Sequence, residues 1–338
     1  MPKKGASSGV RVLSATDVSA LLSPAESIAA VEEVFRRWAR GEADDPAVLG
    51  VHVDGGAFHI KAGALRVGLR TYFATKTNAN FPGNPERRAL PSIQGVIVLS
   101  DAESGTPLAI MDSARITELR TAAATAVAVR HLARSDASRV VLIGCGAQAP
   151  SHLRALREVR TISRLALIDR DPARAQRLAQ WASAELGLPA EVSTSPADAV
   201  PSCDVCVTCT PSTRPVLMAD MVRPGTLVAA VGADNPSKHE IDPRLMATSK
   251  VVVDSLDQCA SMGDLHHALE ARVMRREDVH AELGDIVAGA RPGRESDDEV
   301  IVFDSTGTAL QDVAAAALVF ERAIASARGI DVELASPP

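Results

Sequence analysis

Aromatic side chains are scarce in this chain: two Trp, one Tyr and six Phe make up 3% of its 338 residues. With few rings to stack, a core must be built from Ala, Val, Leu and Ile within a hydrophobic share of 46%. A positive surplus is missing too. Thirty-six Lys and Arg against 42 Asp and Glu leave a net charge of −6, the wrong balance for neutralising a phosphate backbone, so no nucleic-acid partner is expected. No apolar run reaches the roughly 18 residues that a membrane helix needs. The stretch Met1 to Val10 carries Lys3 and Lys4, and Asp17 follows before an apolar segment of signal-peptide length can accumulate. A cytoplasmic protein with no membrane partner is expected. Cysteines number only five, which excludes a disulfide scaffold and suits a reducing compartment. Three of them cluster in Cys203-Asp-Val-Cys206-Val-Thr-Cys209. On a strand side chains alternate faces, so Cys203 and Cys206 are expected to point to opposite sides and to share no metal.

What remains is a soluble globular chain long enough for a large core and two domains. Ser23-Pro24-Ala25-Glu26 is a capping box, and Ile28, Val31, Val34, Phe35 and Trp38 mark one face of a helix ending near Gly41. Residues 57–65, 71–80, 92–101 and 107–112 are rich in β-formers and separated by Gly, Asn and Pro, which predicts an antiparallel or mixed sheet. An Ala-rich helix is predicted from about Arg115 to Ala133. From Arg139 short apolar strands alternate with helical segments, the pattern of βαβ units and a parallel sheet. A helix is expected from Thr308 to Arg328, crossing back to the first domain. The fold class expected is α/β: a doubly wound parallel sheet over 126–312, and a discontinuous α+β domain over 1–125 and 313–338.

Gly144-Cys145-Gly146-Ala147-Gln148-Ala149 is a G-x-G-x-x-A between a predicted strand and a predicted helix. In that context Gly144 permits the tight turn, Gly146 lets the backbone approach a pyrophosphate, and Ala149 lets helix and strand pack closely. The helix N-terminus offers free N–H groups to phosphates. Twenty residues beyond Ala149, Asp169 ends the next strand, where its carboxylate would accept from ribose hydroxyls and favour NAD. Arg170 follows and keeps NADP open. Thr210, at the end of the next apolar strand, joins the cofactor candidates of this Rossmann-type unit.

Three residues are candidates for the substrate side. Lys76 lies in the strand Tyr72-Phe-Ala-Thr-Lys-Thr-Asn78, where burial would lower its pKa toward the range useful for proton transfer, although periodicity alone fits an exposed face as well. Arg120 opens the Ala-rich helix with a fork suited to a carboxylate. Asp234 follows the segment Thr226 to Gly232, at the edge where ligands of doubly wound folds collect, or else is a turn residue. His266 and His267 are neighbours on a helix predicted from Asp257 to Leu269, about 100° apart, and are not expected to share a metal. Asp312 is explained equally by an approach to the site and by a first-turn carboxylate facing the helix dipole.

Several of these stretches, in order, resemble the ornithine cyclodeaminase and mu-crystallin family: Lys76-Thr-Asn-Ala-Asn-Phe-Pro-Gly-Asn84, Leu90-Pro-Ser-Ile-Gln-Gly95, the segment Leu99 to Pro107, Ile116-Thr-Glu-Leu-Arg-Thr-Ala-Ala123, the Gly144 loop, Val231 to Glu240, and Phe303-Asp-Ser-Thr-Gly-Thr-Ala-Leu-Gln-Asp312. The resemblance implies that Lys76 and Asp234 form a proton-transfer pair and that Arg120 holds the substrate carboxylate. It also implies that Thr121 and Ser305 lie near the cofactor, and that the chain is a homodimer paired through the first domain. The family's ornithine cyclodeaminases carry a second carboxylate-binding arginine where Val48 stands here, an acidic residue about where His59 stands, and Met-Pro in place of Lys61-Ala62. Lys61 can supply the missing cation, as a point charge instead of a fork. His59 and Lys61 are therefore substrate-binding candidates.

The leading expectation from the resemblance is NAD(P)-dependent cyclodeamination of L-ornithine or a similar basic amino acid to L-proline and ammonia. Stopping the same chemistry early gives an NAD(P)H-dependent imino-acid reductase or amino-acid dehydrogenase. A third reading is a non-catalytic ligand-binding protein of the mu-crystallin type.

Overall fold

The computed structural model describes residues 9–334. By proximity these divide into two units: 9–30, 41–120 and 308–334 in the first, 31–40 and 121–307 in the second. The strands of the first unit are β1 (Gly9–Leu13), β2 (Ala47–Val53), β3 (Gly56–Val67), β4 (Arg70–Asn80), β5 (Ile93–Asp101), β6 (Pro107–Asp112) and, at the far end of the chain, β17 (Ile330–Glu333). They form one sheet in the order β17-β1-β6-β5-β4-β3-β2. It is mixed: β1 runs parallel to β6 and the other pairings are antiparallel. Strands β1, β2 and β17 were not anticipated, since two lie at sheet edges and β17 is only four residues long.

Register decides which side chains share a face. Val48 lies opposite Lys61, Lys61 opposite Lys76, and Lys76 opposite Ile97, so these four form one row across the sheet. That face is covered by the helix Ala309–Ala325, which packs on β3 and β4. Tyr72 meets Phe320 edge-on at 6.4 Å, and its hydroxyl donates to Glu321. The alternating residues Leu49, Val51, Phe73 and Val96 emerge on the opposite face and are exposed. At the helix Pro24–Ala39 the capping box forms as its residues require: the Ser23 N–H donates to the Glu26 carboxylate at 3.0 Å.

The second unit contains β7 (Arg139–Ile143), β8 (Arg164–Ile168), β9 (Ala190–Ser193), β10 (Val205–Thr208), β11 (Thr213–Leu217), β12 (Leu227–Ala230), β13 (His239–Ile241), β14 (Lys250–Val253), β15 (Ala281–Glu282) and β16 (Ile301–Asp304). Eight of them make a parallel sheet in the order β15-β14-β16-β12-β10-β7-β8-β9, and β11 pairs separately with β13. Helices connect the strands, as parallel pairing demands. The first strand, β7, has β8 on one side and β10 on the other, so the strand order reverses there and leaves the crevice of a doubly wound, Rossmann-type fold at its carboxyl edge.

Two local expectations change. The helix predicted across Asp257 to Leu269 breaks at Gly263 into Leu256–Met262 and Asp264–Glu270. A Cβ at Gly263 would sit 2.5 Å from Asp304 Oδ2, so only glycine lets the backbone approach that carboxylate. Cys203 and Cys206 do not face opposite ways. Strand β10 starts only at Val205, Cys203 follows a preceding 3-10 turn, and both cysteines belong to one buried cluster, where the neighbouring Cys203 and burial push the Cys206 thiol up. Among the described residues no group of three or more His, Cys, Asp and Glu is placed to hold a metal, and no helix is long and apolar enough to cross a membrane.

Candidate active site

In the first unit a buried cluster of charges forms on the helix-covered face of the sheet. Lys76 is 3% exposed, which removes the exposed-face reading. Its Nζ lies 2.6 Å from Asp312 Oδ2 and 3.4 Å from Thr117 Oγ1. Asp312 sits in the first turn of the helix Ala309–Ala325. Arg120 donates from Nε to the other oxygen of Asp312 at 3.0 Å and from one terminal nitrogen to Gln311 Oε1 at 3.2 Å. Lys61 is buried as well and raises the local positive potential felt by both Lys76 and Asp312. Burial dominates Lys76 and, helped by Arg120 and Lys61, lowers its pKa to about 7 against the pull of Asp312. Burial alone would raise the Asp312 carboxyl, but Lys76 and Arg120 hold it below its ordinary value. A lysine poised near neutrality can both give and take a proton.

Asp312, explained in the sequence equally well by the helix dipole, is thus the carboxylate that Lys76 meets. Asp234, in the second unit, accepts from Lys238 Nζ at 2.6 Å and from Asn235 at 3.3 Å in its own loop. Its side chain is 45% exposed. His59 lies on β3, opposite Asn78 and on the same face as Lys61.

In the second unit the glycine loop has the shape a dinucleotide requires. Gly144 adopts φ +102°, and a Cβ there would lie 2.8 Å from Cys209 O and 2.9 Å from the Thr210 methyl group. Only glycine fits between the ends of β7 and β10. Gly146 and Ala147 are exposed, and a Cβ at Gly146 would meet nothing, so the backbone there is open to a ligand. The helix Ala149–Val159 follows with Gln148 as its cap and no side-chain hydrogen bond closing its first turn, while Ala149 is buried. Such an end suits a pyrophosphate. Asp169 accepts from the Cys145 N–H at 2.8 Å and the Asp171 N–H at 2.9 Å. Each oxygen keeps a lone pair for a ribose hydroxyl. Arg170 beside it is exposed. The donor set therefore fits a nicotinamide dinucleotide.

Thr121 and Ser305 are both buried in this unit, but the Ser305 hydroxyl donates to Asp254 at 2.8 Å. Asp254 also takes the Gly307 N–H at 2.6 Å. Glu240 accepts from Thr208 Oγ1, the Thr210 N–H and the Gly232 N–H at 2.9, 2.6 and 2.8 Å, bolting together the loops that leave β10 and β12. Asp264 takes two backbone N–H groups and Asp304 one. Burial raises the Glu240, Asp264 and Asp304 carboxyls, Asp304 to about 7. Sequence reasoning did not single out this set, because its partners are mostly backbone groups that carry no signature. His267 stacks on His239 at 3.9 Å and meets Lys238 O at 2.7 Å, a packing arrangement.

The model of the ornithine cyclodeaminase/mu-crystallin family matches residues 10–327. The chain belongs to that family. Solved family structures agree over nearly the full length. An archaeal alanine dehydrogenase, solved as a dimer with bound NAD, is 38% identical with a TM-score of 0.91, covering 96% of this chain and 99% of that one. The pyrroline-2-carboxylate reductase of Thermococcus litoralis, in complex with NADH and L-proline, is 32% identical with a TM-score of 0.92, covering 96% and 100%. The iminosuccinate reductase of Paracoccus denitrificans, in complex with NAD+, is 33% identical with a TM-score of 0.88, again covering 96% and 100%.

Proposed function

We propose that this protein reduces a 2-imino acid to the 2-amino acid, and runs the reverse oxidation, with NAD as hydride carrier. The coarser statement, an NAD-dependent enzyme acting on amino or imino acids, is common to the family members named above. The observation that carries the finer one is the buried set Lys76, Arg120 and Asp312, two cations on one carboxylate. Such a site attracts the α-carboxylate of an imino acid, with the Arg120 fork as its natural anchor. It repels a substrate bearing a second ammonium group, as ornithine does, so cyclodeamination of a basic amino acid has less support.

Reduction adds a hydride to carbon and a proton to nitrogen across the C=N bond, and no ammonia leaves. The bound dinucleotide supplies the hydride; the protein supplies the proton and the geometry. Lys76, near neutrality, hands its proton to the imine nitrogen and recovers one in the reverse direction. Asp312 holds the ammonium in place and restores its charge. The exposed apolar residues Leu49, Val51, Phe73 and Val96 support pairing with a second copy of this chain across that sheet face.

The test follows NADH absorbance with pyruvate plus ammonium and with pyrroline-2-carboxylate, beside ammonia release from L-ornithine. Stoichiometric NADH oxidation is expected. Ammonia release from ornithine without net NADH change would replace this reading with cyclodeamination.

A further inference from the structure

A Ser or Thr placed three residues ahead of a carboxylate or amide closes the first turn of a helix on itself. The hydroxyl accepts the N–H of the later residue, and that residue's side chain reaches back. Exposed Ser14 closes such a box with Asp17, and exposed Ser23 with Glu26. Thr308-Ala-Leu-Gln311 has the same spacing at the start of the helix Ala309–Ala325, yet this box stays open. The Thr308 hydroxyl makes no cap hydrogen bond, and Gln311 turns its oxygen to a terminal nitrogen of Arg120 at 3.2 Å. Because a guanidinium offers only donors, the amide oxygen has to face it, and Nε2 is left pointing elsewhere. Both residues are 0% exposed, and among the described residues neither Thr308 Oγ1 nor Gln311 Nε2 has a hydrogen-bond partner. An unmade cap and two buried orphans each cost stability. A fold that closes these boxes at its surface and leaves a buried one open is keeping the groups for a ligand. The surroundings name its charge: the first turn of a 17-residue helix carries partial positive charge, and Arg120 is a cation.

We infer that Gln311 and Thr308 are specificity-determining residues of the reductive reading above, on which the inference rests. Gln311 Nε2 and the Thr308 hydroxyl bind one oxygen of the substrate's α-carboxylate, and Arg120 holds the other. Through its own oxygen Gln311 also steadies the Arg120 fork. The next residue, Asp312, holds Lys76 Nζ at 2.6 Å. One helical turn thus carries both the carboxylate anchor and the partner of the proton donor, and so sets the spacing between carboxylate and imine nitrogen that the site accepts.

The experiment follows NADH oxidation with pyruvate plus ammonium and with pyrroline-2-carboxylate in the full-length wild type, Gln311→Glu and Thr308→Val. Melting temperatures are taken beside it in propionate and in its neutral isostere propionamide. Gln311→Glu keeps an oxygen for Arg120 but replaces the Nε2 donor by an anion, so KM should rise by about a hundredfold or more, with kcat and NADH affinity changed far less. Thr308→Val keeps the shape without the hydroxyl and should raise KM by about tenfold. Propionate should raise the wild-type melting temperature more than propionamide does, and Gln311→Glu should lose that difference. A residue that only steadied Arg120 would leave KM in Gln311→Glu at the wild-type value; that result overturns the inference and leaves the reductive reading standing. Should Gln311→Glu fail to fold, an unchanged KM in Thr308→Val, or equal stabilisation of the wild type by both probes, overturns it instead. If no substrate oxidises NADH the reductive reading falls, and the melts alone decide the carboxylate site.

Discussion

Each unit of this protein buries a cluster of charged groups, and the two clusters have opposite sign. In the first, Lys76 and Arg120 both pair with Asp312. In the second, Glu240, Asp254, Asp264 and Asp304 lie together among backbone N–H groups and hydroxyls. The negative cluster is answered locally. Its carboxylates tie loop ends to strand ends, and Asp264 and Asp304 lean on protonation, with burial raising both. In the positive cluster one carboxylate, Asp312, is shared between Lys76 and Arg120. A buried charge that the fold neutralises itself is architecture, whereas one it leaves in excess is an invitation to a ligand of the other sign.

That contrast can be broken most forcefully at Lys76. Lys76→Met should lower kcat by roughly 10²–10⁴-fold, the range of a lost general acid, while NADH binding followed by fluorescence stays intact; a parallel loss of NADH affinity would make the residue structural. Next comes Asp312→Asn, which removes the carboxylate that Lys76 and Arg120 share and should cost about 3–5 kcal/mol in denaturant unfolding. It should also move the ionisation of Lys76 seen in the pH–rate profile to lower pH, since the carboxylate's pull is gone.

The pH dependence of stability sharpens the comparison with slopes of opposite sign. Lys76 falls from 10.5 in the unfolded chain to about 7 in the fold, so its contribution is present above 10.5 and is lost as pH falls toward 7. Asp304 rises from 3.8 to about 7, so its contribution is present below 3.8 and is lost as pH rises toward 7. In melting curves taken across pH, Lys76→Met should flatten the rise between those alkaline limits and Asp304→Asn the fall between the acidic ones, each by at most about 1.4 kcal/mol per pH unit. The smallest effect is expected at Asp169→Ala, which should weaken NAD by about tenfold and NADP by less; an unchanged preference in titrations would remove this carboxylate from the ribose.

Local pattern carried the sequence reading a long way. The alternation and turn residues around Tyr72 to Asn78 located β4, and the G-x-G-x-x-A between strand and helix located the loop at Gly144, because both signals are contained in a few adjacent residues. Alternation shows that Lys76 faces away from Thr75 and Thr77, but not which face is covered. That depends on the helix Ala309–Ala325, more than two hundred residues further along the chain. The two readings of Asp312 stayed level for the same reason: its partnership with Arg120 spans 192 positions. The family resemblance supplied Lys61 as a stand-in cation, and only the strand register showed it standing opposite Lys76. The close approach of Gly263 to Asp304 and the Cys203–Cys206 contact are likewise products of packing.

The bond from Cys145 N–H to Asp169 has a consequence for anyone wishing to change which dinucleotide the protein prefers. The same side chain that would discriminate between the two coenzymes also pins the turn that would cradle their phosphates. Retuning the first property by replacing Asp169 therefore slackens the second, and a successful redesign must install a new brace for that turn along with a new recognition group.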